Sequence, residues 1–144
     1  MNSVELISKV QDLIPSILSQ AGLKNGDKMI SSEALASKDT LFWNKQVPDV
    51  NNSKKASFVI WDVVDANPIG HADNKVAIRH VYVSIDIYTK LGALHQSTKE
   101  LLKKINEAFE NEEWNFELVA SDSIDNMNGL TQIRYSATKK NIGG

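Results

Sequence analysis

Val81-Tyr82-Val83-Ser84-Ile85-Asp86-Ile87-Tyr88-Thr89 alternates apolar and polar residues over nine positions. In a strand, successive side chains point to opposite faces. The stretch therefore buries Val81, Val83, Ile85 and Ile87 on one side and offers Tyr82, Ser84, Asp86 and Tyr88 on the other. Upstream, Val76 and Ile78 fall on the opposite parity, which predicts a bulge or an edge crossing near Arg79 and His80.

Working outward, Phe58-Val59-Ile60-Trp61-Asp62-Val63-Val64 is β-branched and aromatic and too short for an ordinary helix, so it reads as a second strand. Between the two, Asp65 to Lys75 contains Asn67-Pro68, Gly70 and Asp73-Asn74, and the expectation is an exposed loop of about eleven residues. Downstream, Leu94, Leu101, Leu102, Ile105, Ala108 and Phe109 form one helical face, with Lys99, Glu100, Lys103, Lys104 and Glu107 on the other. Trp114, Phe116, Leu118 and Ala120 alternate again, as do Ile133, Tyr135 and Ala137, with a polar hairpin loop predicted over Ser121 to Gly129.

Toward the N-terminus, Val4, Ile7, Val10, Leu13, Ile14, Ile17 and Leu18 step by three and four along a helix over residues 3–20. Asn2 and Glu5 resemble a capping box, and Gly22 suits the position past the helix end. Pro15 predicts a kink or restart near Ile14. From Leu23 to Ser57 no period is sustained, and residues 24–40 carry no clear signal beyond a possible helical turn at Ser31 to Ser37. Leu41-Phe42-Trp43 reads as an edge strand before Pro48. The resulting expectation is a single α+β domain over 1–144, a mainly antiparallel or mixed sheet of four to five strands with two main helices. Its sheet and second helix span 41–138, and residues 139–144 form a mobile polar end.

Composition excludes several classes. The 144 residues hold no cysteine, so thiol catalysis, redox pairs, Cys-ligated zinc and disulfide scaffolds are out. Sixteen basic against eighteen acidic residues leave a net charge of −2, and there is no basic stripe for nucleic acid. No apolar run approaches the roughly 18 residues of a membrane span, and the first residues lack a basic and apolar leader pattern, so the chain reads as soluble. His71, His80 and His95 match no metal spacing. The acidic run 121–129 lacks the spacing of a calcium loop. Gly70 and Gly92 stand alone, so no phosphate-cradling loop is present, and no nucleophile elbow surrounds a serine. No cofactor or metal is expected. Asp62 and Asp86 lie mid-strand, and with His80 they define one alternative, a small ligand-binding or enzymatic domain. Capture of a peptide strand on an exposed sheet edge is another. Tyr82 and Tyr88, opposite the apolar face, suit an interface unless a helix of the same chain covers them.

The N-terminal helix, Leu41-Phe42-Trp43-Asn44-Lys45-Gln46-Val47-Pro48, Phe58 to Asp62, the Asn67-Pro68 segment, Val81 to Thr89, and Gly129-Leu130 before Tyr135-Ser136 together resemble the tail-completion proteins of long-tailed bacteriophages. These include the tail terminators and the tail-to-head joining proteins. The resemblance implies a non-catalytic α+β subunit that forms a six-fold ring on the tail tube, at the head-proximal end of the virion tail, after assembly in the host cytoplasm. Its partners would be further copies, the tube protein and the head-tail connector, with no sequence-specific nucleic acid and no membrane. A closed ring needs heterologous contacts, so loops and edges are the natural candidates. On that basis Asp65, Asn67, His71, Asp73, Lys75, Tyr82, Tyr88, Asp122, Asp125 and Asn128 are the expected interface residues.

Overall fold

The computed structural model describes residues 3–45, 57–72, 75–125 and 130–140. The chain runs α1 (Ser3–Gln20), β1 (Lys24–Asn25), a 3-10 turn (Gly26–Lys28), α2 (Ser31–Ala36), β2 (Leu41–Asn44), β3 (Ser57–Ala72), β4 (Lys75–Thr89), α3 (Gln96–Asn111), β5 (Asn115–Asp125) and β6 (Leu130–Lys140). The six strands form one mixed sheet in the order β1-β2-β3-β4-β6-β5. β1, β2 and β3 are parallel neighbours, and the other pairings are antiparallel. The fold is α+β, with one strand more than expected. The additional strand is β1, whose two residues are too few to leave a period in the sequence.

Five local expectations are corrected. Leu41-Phe42-Trp43 lies inside the sheet, with β1 on one side and β3 on the other, and all three residues are buried. Asp65 to Lys75 is not a loop: β3 continues to Ala72 and β4 begins at Lys75. Pro68 lies within this antiparallel pairing, opposite Arg79. The turn-forming residues are absorbed by register shifts at Val64 and Ile69 on β3 and at Ala77 on β4, so the parity change of β4 sits at Ala77 rather than near Arg79. Likewise β5 continues to Asp125 and β6 starts at Leu130, which shortens the Ser121 to Gly129 loop. At the end of the chain, Lys139 and Lys140 belong to β6 and pair with Val81 and His80. Residues 141–144 lie outside the described residues.

The helix-covered face of the sheet holds Val59, Trp61, Val81, Val83, Ile85, Ile87, Phe116, Ile133 and Ala137. These meet Leu6, Val10, Ile14, Ile17 and Leu18 of α1 and Ile105, Ala108 and Phe109 of α3. Both long helices thus lie on one face. Val4 was expected on the apolar stripe but is exposed, and Leu94 precedes α3 and is 84% exposed. α1 runs through Pro15 without a restart. The carbonyl that loses its donor there belongs to exposed Gln11, within reach of water. Asn2 lies outside the described residues.

Both long helices end in the same device. After α1, Gly22 takes φ +91°, its N–H donates to Ser19 O at 3.0 Å, and Leu23 N–H donates to Leu18 O at 3.2 Å. After α3, Glu113 takes φ +63°, its N–H donates to Glu110 O at 2.9 Å, and Trp114 N–H donates to Phe109 O at 2.9 Å. These paired bonds satisfy the last carbonyls of each helix. The second copy uses a glutamate where glycine is cheapest, and the Trp114 ring, edge-on to Phe109 at 5.9 Å, holds it in place. α3 begins on His95, whose Nδ1 accepts the Ser97 N–H at 3.1 Å.

Candidate functional site

The second face of the sheet is where polar residues gather. Near β2 it carries a small cluster of Leu41, Trp43, Phe58, Ile60 and Leu130, covered by Met29 and Ala34 from the 26–36 segment. Trp43 lies so close over Gly26 that a Cβ there would stand 2.3 Å from its ring. Asp27 Oδ2 accepts the Asn44 N–H at 3.0 Å and ties this cover to the end of β2. Tyr88 stacks on Phe58 at 5.1 Å and is half-buried, so its ring belongs to this cluster. Tyr82, also half-buried, stands farther along the same face of β4. Among the described residues no long helix lies on this face, and Tyr88 packs against the same cluster that Met29 and Ala34 flank.

Cross-strand pairing sets Asp86 opposite Ile60 on one side and Arg134 on the other. Arg134 Nε donates to Asp86 Oδ1 at 2.7 Å and its Nη2 to Oδ2 at 3.3 Å, a forked pair that engages both carboxylate oxygens. The hydrogen bond and charge of Asp86 raise the guanidinium pKa above its ordinary value. Asp62 is opposite Ser84, two positions from Asp86 along the same face. His80 is six positions from Asp86 on β4, about 20 Å at the rise of an extended strand. The alternative constellation of Asp62, His80 and Asp86 therefore shares a face but not a site, and Asp86 is occupied by Arg134.

A recess that sequence reasoning missed opens where β2 ends. It has a volume of about 140 Å³ and is lined by Ile7 and Gln11 of α1, Asn44 and Lys45, and Asp62, Val63 and Val64 of β3. Lys45 takes φ +61°, and its N–H donates to Trp61 O at 3.0 Å, which turns the chain out of the sheet. Asn44 Oδ1 and Asp62 Oδ1 are both shielded from solvent, and neither receives a hydrogen bond. Lys45 Nζ stands 3.6 Å from Asp62 Oδ1, an ion pair too long for a hydrogen bond, on a side chain 69% exposed. Only the mid-strand position of Asp62 hinted at this recess; the left-handed turn at Lys45 has no sequence signature.

The expected interface residues separate into two groups. Asp65, Asn67 and His71 lie on β3 and Lys75 on β4; Asp122 and Asp125 lie on β5; Asp73 and Asn128 fall outside the described residues. The last described rung joining β4 to β6 is His80 with Lys140. Beyond it, among the described residues, β3 and β4 pair with each other only, through Pro68–Arg79, Gly70–Ile78, His71–Val76 and Ala72–Lys75. The β5–β6 hairpin turns at the other end, where Thr131 faces Thr89. The two hairpins point in opposite directions and do not converge. Register shifts interrupt β3 at Val64 and the edge strand β5 after Leu118 and again after Ala120, which on β5 disfavours indiscriminate strand addition. Among the described residues, no three His, Asp or Glu side chains gather into a metal-binding group, and no helix is long and apolar enough to cross a membrane.

No protein-family model matches the sequence, and no curated protein matches it at a significant level.

Proposed function

We propose that the chain is a structural assembly subunit of the phage tail-completion type, closing into a ring that caps the tail tube and offers a surface to the head connector. The observation that carries this reading is the placement of the two hairpins at opposite ends of one sheet. A subunit joining two different structures needs two separate docking ends, and hairpins at opposite ends of one sheet would supply them. Exposed Val64 on β3 and exposed Leu118 and Val119 on the edge strand β5 supply separate apolar surfaces, which suits a heterologous ring contact. The net charge of −2 leaves DNA in a lumen free to pass.

The enzymatic alternative built on Asp62, His80 and Asp86 has less support, because the three are spread along the face and Asp86 is held by Arg134. Deletion of the gene from its source genome, followed by negative-stain electron microscopy of the lysate, tests the assembly reading. Overlong tails beside unattached filled heads support capping of the tube. Tails of normal length that fail to attach support a joining role. Intact infectious particles sink both.

A further inference from the structure

We propose that residues 26–40 form a strap that opens as a unit on a closed neck while the rest of the sheet stays folded, gating solvent access to the aromatic cluster beneath it. The inference is independent of the assembly reading above. Its starting point is how the segment leaves the sheet and returns. Lys24 pairs with Leu41 and Asn25 with Phe42, so the two ends lie side by side. Lys24 N–H donates to Thr40 O at 3.0 Å, and Lys24 Nζ stands 3.4 Å from Asp39 Oδ2, which closes the neck. A surface segment whose ends are held together in this way can lift without moving the strands that carry it.

Within the strap the bonds are local. Met29 N–H donates to Gly26 O at 3.1 Å, Ala34 N–H to Ile30 O at 3.0 Å and Ser37 N–H to Glu33 O at 2.9 Å. α2 has six residues and no side-chain bond from its N-cap, Ile30, and a helix that short does not hold by itself. None of the strap's described side chains is buried: Met29 and Ala34 are half-buried, and Ile30 is 64% exposed. The buried groups stand on the sheet's side of the contact, where Leu41, Trp43, Phe58, Ile60 and Leu130 form a cluster separate from the main core. The strap is fastened by the fit of Gly26 against the Trp43 ring and by the bond from Asn44 N–H to Asp27 Oδ2 at 3.0 Å. A segment that contributes so little buried apolar surface opens below the free energy of global unfolding. Its opening bares Trp43 and Phe58, an edge-on pair with ring centroids 6.0 Å apart, and leaves the core under α1 and α3 intact.

The test is native-state hydrogen exchange of the full chain at low, increasing denaturant, for the natural protein and for Asp27→Ala and Lys28→Ala, with thermal melting as a check on folding. The amides of Met29, Ala34, Ser37 and Asn44 are expected to exchange through one common opening, at least tenfold more populated than the opening that exposes β4 and α1. Asp27→Ala is expected to raise that population about tenfold again and to leave β4 and α3 unchanged, whereas Lys28→Ala, on the same turn, leaves all of them unchanged. Strap amides that exchange no sooner than those of β4 overturn the proposal, because the segment then opens only with the whole fold. Strap amides that exchange at unrelated rates without responding to denaturant overturn it as well, since that is fraying rather than a unit. Equal acceleration of every element by Asp27→Ala has the same force.

Discussion

The two faces of the sheet are built from the same alternating strands and end up with opposite characters. One is sealed by α1 and α3 over a continuous core that includes Trp61, Ile85, Ile87 and Phe109. The other, among the described residues, is closed over Phe58, Trp43 and Ile60 beneath one 3-10 turn and a six-residue helix, and elsewhere presents Tyr82, Asp86 and Arg134. Stability and contact are thereby assigned to different sides of one layer. The sealed face carries the free energy of folding, whereas the half-covered face and the strand ends are where the proposed partners would dock.

If that division holds, the largest loss comes from the sealed face. Trp61→Ala is expected to destabilise the fold by about 3–5 kcal/mol, measured by chemical denaturation, with every element melting together. Gly26→Ala sharpens the contrast. Its Cβ cannot coexist with the Trp43 ring, so the cover over the second face must shift, at about 1–3 kcal/mol. Hydrogen exchange should accelerate in residues 24–44 and leave α1 and α3 protected; uniform acceleration would mean that the two faces are not separable units.

Arg134→Ala ranks next, at about 1–2 kcal/mol, because it strands the largely buried carboxylate of Asp86 on the polar face while the arginine itself is half-exposed. In the opposite direction, Glu113→Gly is expected to raise stability by about 1 kcal/mol, since it places glycine at the left-handed position that Gly22 already occupies after α1. The smallest effect belongs to pH. Burial holds the Tyr135 phenol above its ordinary value of 10.0. The unfolded chain therefore ionises first as the solution becomes alkaline, so stability is fully present below pH 10 and declines as pH rises through the folded pKa. Tyr135→Phe should flatten that alkaline decline in a series of melting curves; an unchanged slope would place its cause elsewhere.

Much of this division was legible in the residues. The parity of Val81 to Thr89 placed Tyr82, Asp86 and Tyr88 together on the polar side, and the α1 and α3 stripes named nearly all the buried helix residues. Glycine past α1 also stood where the sequence put it. What escaped were features that neighbours decide. Asn67-Pro68 and Gly70 are turn chemistry taken alone, yet β3 absorbs them through register shifts in its pairing with β4. β1 exists only because β2 is there to pair with it. The recess depends on the left-handed turn at Lys45, which brings residues from α1, β2 and β3 to one place without any shared motif.

The central claim is that the two ends of the sheet meet different partners. Hydrogen–deuterium exchange of this chain, free and in purified assembled particles, tests it most directly. The expected result is new protection in both 62–80 and 118–131 on assembly, with the exposed side of α3 around Lys99 and Lys103 unchanged. Protection confined to one hairpin, or spread over α3 and absent from both, would contradict a two-ended connector.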